Sequence, residues 1–233
     1  MTMFVIALAT FILLHIGVSA TPLRAAIVKA VGEGVYRGLF SLASGIVLAW
    51  MLFSFGAARA DPANVLLWTP PDWARHVTAT LVLAGFLLGV TGMITPNPVA
   101  LGFASAIQKP DPAPGIIRVT RHPFLWGVAL WGVGHAASNP EAASLLLFGG
   151  LAAMSLAGTR SIDRKAAARD PTHWARFKAV SSNVPFAAIL QGRNSFNMGE
   201  TAPRLLVALL AYAAVAYFHG VLFGVKAFAF GAG

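Results

Sequence analysis

The sequence contains no cysteine. Disulfides, thiolate nucleophiles, zinc–thiolate sites, iron–sulfur clusters and thioether-linked haem are thereby excluded together. Charge is scarce: Asp, Glu, Lys and Arg make up 11% of 233 residues, against about 25% in an ordinary soluble domain. The scarcest are the acids. All eight, Glu33, Asp61, Asp72, Asp111, Glu141, Asp163, Asp170 and Glu200, fall between apolar blocks or at their ends. Proton and cation carriers rely on carboxylates at mid-membrane, so the pattern argues against an ion-coupled transporter. Apolar residues, in contrast, reach 57% and are grouped in long blocks. That argues against an ordinary soluble enzyme and a disordered chain, and for an all-α polytopic membrane helical bundle.

Six blocks stand out, at about 3–20, 38–58, 76–94, 123–138, 142–158 and 204–223. Most approach the roughly 20 residues that cross a hydrocarbon core about 30 Å thick. The fourth and fifth are short, split by the turn signal Asn139-Pro140-Glu141, and read as a tight helical hairpin. Of the 17 Lys and Arg, fourteen lie in the first, third and fifth loops and three on the opposite face. This asymmetry puts the basic loops in the cytoplasm and both termini outside. It also explains the net charge of +9 without a nucleic-acid partner. Val18-Ser19-Ala20 resembles a signal-peptidase site, but no basic residue precedes the first block, so that block is read as a retained span. No repeat is visible, and residues 1–233 read as a single integral-membrane domain. The proline-rich loop 95–120 is expected to be irregular. Residues 161–180 are expected either as an amphipathic helix on the leaflet, with Ile162, Ala166, Trp174 and Phe177 toward lipid, or as a solvated basic loop.

The ionisable groups left inside the spans are His15, His135 and His219. Neutral imidazoles without a thiol or carboxylate beside them suit the iron of haem b. Gly127, Gly132 and Gly134 would give a macrocycle room near His135, with Trp126 and Trp131 against its face. The same glycines also suit close helix packing. At 1.5 Å per residue, His135 lies about 20 Å from the cytoplasmic start of its span, His15 roughly 10 Å and His219 about 22 Å, so depth alone pairs His135 with His219. Thr120-Arg121-His122-Pro123 is the most specific local motif. Proline suits the first helical turn, which leaves Arg121 and His122 at a helix N-terminus fit for a carboxylate, a phosphate or a haem propionate.

Several segments together resemble the NnrU family of bacterial membrane proteins. They are His15-Ile16-Gly17-Val18-Ser19 with Arg24, Tyr36-Arg37-Gly38-Leu39-Phe40-Ser41, and Arg121-His122-Pro123-Phe124-Leu125-Trp126-Gly127 through Leu130-Trp131 to His135 and Asn139. Ile162-Asp163-Arg164-Lys165, Trp174 and Ser182-Asn183-Val184-Pro185-Phe186 also fit, so the resemblance covers about residues 4–190. It implies a link to denitrification and nitric-oxide metabolism, or activity like that of the ζ-carotene isomerases of plants and cyanobacteria, in which haem b assists cis–trans isomerisation of a polyene. It further implies His15 and His135 as iron ligands, against the depth estimate, with His219 the alternative ligand. His122 and Arg121 are then cofactor-binding residues. Where the plant enzymes carry a cysteine one turn before the later ligand, this chain has Gly132, so thiolate exchange is excluded.

A second, more distant likeness is to isoprenylcysteine methyltransferases, which share the Arg-His-Pro helix start and a Gly/Trp-rich hairpin. It implies S-adenosylmethionine binding, but the paired glutamates of that layout are missing. A third reading is a non-catalytic accessory protein for respiratory enzymes. The partners expected are therefore the lipid membrane, a lipophilic substrate and a respiratory-chain protein.

Overall fold

Each of the six apolar blocks forms a helix, and the polar segments between them add short ones. The computed structural model describes residues 1–100 and 102–227. In chain order the helices are α1 (Thr2–Leu13), running into a π-helical turn (Leu14–Val18), α2 (Pro22–Val31), α3 (Glu33–Arg59) and α4 (Ala74–Met93). Then come α5 (Pro123–Ser138), α6 (Ala142–Arg169), α7 (Pro171–Val180), α8 (Ala187–Leu190) and α9 (Met198–Phe223). The described residues contain no β-strand, only an isolated bridge between Leu66 and Glu141.

Among the described residues four helices, α3, α4, α6 and α9, are long and apolar enough to cross a membrane. A fifth span results if α1 with its π turn and α2, bent by 79°, count as one. At 16 residues α5 is about 24 Å long, short of a full crossing. Of the six expected spans, four or five are thus long and apolar enough by themselves, α5 is short as expected, and α1 ends at a stop signal. Ser19 to Thr21 break the α1 run before Pro22, and Asn139-Pro140 ends α5.

Two close approaches build the centre. A Cβ on Gly127 would lie 2.7 Å from the Gly85 carbonyl oxygen and from the Gly89 backbone, and one on Gly85 would lie 2.8 Å from the Gly127 carbonyl oxygen. The α4 and α5 backbones therefore touch, as small-residue seams allow in membrane helices. Thr78 tightens the seam, its hydroxyl donating to the Gly134 carbonyl (2.7 Å). On the other side of α5, Gly132 lies against the Phe148 carbonyl and Ala152 of α6. The α5 glycines are thus filled by neighbouring helices and do not border a macrocycle, which corrects that expectation. A second apolar cluster joins α1, α3 and α6 through Phe4, Phe11, Met51 and Leu147. The α1 and α6 N-termini lie at the same end: the Met1 amine pairs with Asp61, and Asn64 accepts from the Ala143 N–H at the start of α6 (2.9 Å).

At the opposite end the polar segments fold into a cap. The stretch expected to lie on the leaflet instead divides in two. Residues 161–169 continue α6, since nothing in them stops a helix. Asp170 then caps α7, accepting from the His173 N–H (3.2 Å), and Pro171 takes its first position. The His173 backbone and ring hold the Asp170 carboxyl below its ordinary range. Ala166, Trp174 and Phe177 are buried against Ile107, Ile116, Ile117 and Val119, not turned to lipid. The proline-rich loop supplies that apolar surface, partly through two 3₁₀ turns, Ala104–Gln108 and Gly115–Arg118; its other described residues are irregular, as expected.

Candidate functional site

The Arg-His-Pro motif sits where the cap meets the helices. Pro123 starts α5, and His122 precedes it as the N-cap residue. Residues 119–121 are clamped by the segment after α7. The Arg121 N–H donates to the Ser182 carbonyl (2.9 Å), the Phe186 N–H to the Val119 carbonyl (2.8 Å) and the Thr120 hydroxyl to the Asn183 carbonyl (2.6 Å). From the other side Asn97 Nδ2 donates to the Arg121 carbonyl (3.0 Å).

This clamp turns Arg121 and His122 inward onto Asp163 of α6. Arg121 donates through Nε (3.0 and 3.1 Å) and one terminal nitrogen (2.6 Å), while His122 Nε2 stands 2.7 Å from Oδ1. The side chains of Arg121, His122 and Asp163 are 8%, 2% and 17% exposed. The Arg121 guanidinium also lies over the Trp174 ring at 5.4 Å. The apolar stretch of α6 ends at Gly158, so Asp163 lies in the polar extension beyond it. Burial alone would raise its carboxyl, but the hydrogen bonds from His122 and Arg121 outweigh burial and hold it below the ordinary range. The anion expected at this helix start is therefore supplied by the chain itself. Asn183 completes the node, accepting from Trp126 Nε1 (3.2 Å) and donating to the Thr159 hydroxyl (2.9 Å). Trp126 thus serves the cap and not the surroundings of His135. Sequence reading missed Asn97, Thr159 and Asn183 as members. The available signal was that Asn183 and Asp163 are polar residues inside segments already matching one family.

The intramembrane histidines are arranged differently. His15 lies in the π-helical turn, a deformation frequent at functional sites. Its Nδ1 is 2.8 Å from the Phe11 carbonyl, and its ring packs on Phe11 and Phe40 (centroids 4.3 and 5.3 Å). His135 Nδ1 is 2.9 Å from the Trp131 carbonyl, and its ring packs on Trp131 and Phe148, both at 4.8 Å. A carbonyl only accepts, so in the neutral form of each ring Nδ1 carries the proton and Nε2 keeps the lone pair. Among the described residues no protein group is hydrogen-bonded to either Nε2. A backbone carbonyl behind Nδ1 is the usual support of an imidazole that ligates metal through Nε2.

Helix α6 provides a ruler for depth. Gly150 lies beside Leu8 and Ile12 of α1, while Gly132 of α5 lies between Phe148 and Ala152. Residues 10, 132 and 150 therefore share a level. The His135 and His15 backbones fall on opposite sides of it, about 12 Å apart along the bundle. Both rings fold back toward the N-terminus of their own helix, roughly 3–4 Å each. Because α1 and α5 run in opposite directions, these displacements converge, and the gap between the rings shrinks to about 5 Å in depth. Phe148, on which His135 stacks, packs against the cluster containing Phe11. His219 sits on α9, a helix packed on α4, and is 2.6 Å from the Val225 carbonyl. Among the described residues no three His, Asp or Glu converge as a bare-ion site. A porphyrin brings its own ring nitrogens and needs one or two imidazoles, so the donor set of His15 and His135 fits that group.

A family model described as NnrU protein matches residues 3–227. The chain belongs to the NnrU family. Two 15-cis-zeta-carotene isomerases, both chloroplastic, are similar to this NnrU protein. That of Zea mays is 29% identical over 187 residues, and that of Arabidopsis thaliana 31% over 188; each match covers 78% of this chain and 49% of the relative. The chain thus spans about half the length of the curated relatives it matches. No solved structure matches it.

Proposed function

We propose that this protein is a membrane-embedded haem b protein acting as a cis–trans isomerase on a lipophilic polyene. The observation that carries the reading is the pair of imidazoles, His15 and His135, each with Nδ1 tied to a backbone carbonyl and no protein partner at Nε2 among the described residues. The similarity to the two carotene isomerases supplies the reaction class. When bound, haem supplies an iron whose oxidation state controls whether it can draw electron density from a double bond and ease rotation about it. His15 and His135 hold that group. Phe11, Phe40, Trp131 and Phe148 keep both rings dry and fixed in orientation, and lipid-facing apolar surface admits a substrate insoluble in water. The Asp163 node anchors α5 to α6 and so fixes the height of His135. In the same reading six helices associate with a bacterial inner membrane, with the basic cap cytoplasmic and both termini outside.

Protein purified from haem-supplemented cells should show a Soret band. His135→Ala and His15→Ala should each lose or shift it, whereas His219→Ala should leave it in place. A colourless wild-type protein that copurifies with a respiratory enzyme would overturn the reading in favour of an accessory role. A band lost in His219→Ala and kept in His15→Ala would reassign the second ligand.

A further inference from the structure

The corner where α1, α2, α3 and α6 meet carries polar groups that the site above does not use. The Tyr36 hydroxyl and Ser161 Oγ are buried, with each residue 7% exposed, and neither has a hydrogen-bond partner among the described residues. Buried hydroxyls without partners are rare and need a reason. Each has a cation near it in the fold, Arg24 over the Tyr36 ring and Lys165 one turn from Ser161. Lys165, one turn after Ser161 on the same face of α6, has its ammonium held only by neutral oxygens of Ser19, the carbonyl (2.8 Å) and the hydroxyl (3.3 Å). Among the described residues no carboxylate lies within ion-pair distance of it. Arg24 lies over the Tyr36 ring at 5.3 Å and is paired with Glu33 (2.7 and 3.0 Å), which also serves Arg37 (2.9 Å). Glu33 is thus shared by two arginines, and Lys165 has no carboxylate of its own among the described residues.

An aromatic column leads from this corner to the free imidazole. Tyr36 stacks on Phe40 at 5.7 Å, and Phe40 meets the His15 ring edge-on at 5.3 Å. Ser19, which holds Lys165, is one turn beyond His15. A ligand with a flat apolar body and an acidic edge satisfies every unpaired group in this arrangement. We propose that the Lys165–Tyr36–Ser161 corner binds the carboxylate edge of the tetrapyrrole, with Arg24 as its outer cation. The inference rests on the haem reading and extends it by assigning the orientation of the group. Arg121 and His122, the sequence-level candidates for this task, are already engaged by Asp163.

The test compares iron protoporphyrin IX with its dimethyl ester, measuring dissociation into excess apomyoglobin from protein in phosphatidylcholine nanodiscs. Wild type should release the ester about tenfold faster than the free acid, the size expected for one charge-assisted hydrogen bond. Lys165→Met and Tyr36→Phe should erase that discrimination by speeding release of the acid alone, and Lys165→Arg should restore it. Equal release of acid and ester from wild type with an intact Soret band overturns the corner assignment and leaves the haem reading standing. Failure of either porphyrin to give a Soret band overturns the haem reading itself. Should the variants instead lose retention of phosphatidylglycerol in native mass spectra while porphyrin release is unchanged, the anion is a lipid phosphate and the carboxylate-edge assignment is overturned.

Discussion

Asp163→Asn should destabilise the protein by about 3 kcal/mol, roughly a hundredfold in the ratio of folded to unfolded chain. The carboxylate accepts three contacts from Arg121 and one from His122. An amide keeps the shape but loses the charge, and it puts a donor where only acceptors fit. Arg121, 8% exposed, is left without a counter-charge. Breaking a buried pair costs more than the pair contributes, because the remaining ion has lost its water. Asp163 is 17% exposed, which sets the cost at the lower end of the usual range. Replacing both Arg121 and Asp163 by leucine should therefore cost less than Asp163→Asn alone. The measurement is thermal unfolding in detergent over the full cycle of variants. A single variant within about 0.5 kcal/mol of wild type, the spread of ordinary surface substitutions, would show the node to be ornamental.

The same carboxylate gives an acid-sensitive component. Its folded value lies below the ordinary 3.8, so its contribution is complete above that pH and fades as pH falls through the depressed value. Wild type should lose stability faster than Asp163→Asn over that acid interval, and the two curves should run parallel above it.

The second large effect is expected at the α4–α5 seam. Gly127→Leu should abolish the native packing, at a cost of about 3 kcal/mol or more. Overpacking is tolerated when a side chain can move aside. Here the first atoms met are the Gly85 carbonyl and the Gly89 backbone at 2.7 Å, so the helices themselves must separate. Separation would also break the Thr78 bonds to Gly134 and Ser138 and displace His135. Gly45→Leu is the control: a Cβ there meets nothing within 4 Å. The Gly45→Leu variant should elute as a monodisperse species with the wild-type transition, while the Gly127→Leu variant should aggregate or melt early. Wild-type behaviour of Gly127→Leu would mean that α4 and α5 do not cross as described.

These effects divide along what a one-dimensional reading can reach. Runs of apolar residues and their stop signals depend on near neighbours in the chain. That is why each apolar block became a helix, and why Pro123 marked the start of α5. Hydropathy bounds the apolar block at about residue 158, but the helix itself runs on to Arg169 and ends where the backbone turns, at Asp170-Pro171. The glycines of α5 were visible but not their use. Whether a missing Cβ makes room for a cofactor or for another helix depends on which backbone lies opposite.

Composition and hydropathy by themselves determined the all-helical membrane class and the exclusion of thiolate chemistry, position inside apolar blocks marked His15, His135 and His219, and the Arg-His-Pro motif marked Arg121 and His122. Only the tertiary structure decided that Arg121 and His122 close on Asp163 and that Phe148 of α6 packs on the His135 ring. Ion pairing and ring position depend on antiparallel helices brought side by side, and residues 41 or 42 positions apart, like those of the Asp163 node, have no relation in sequence until the chain folds.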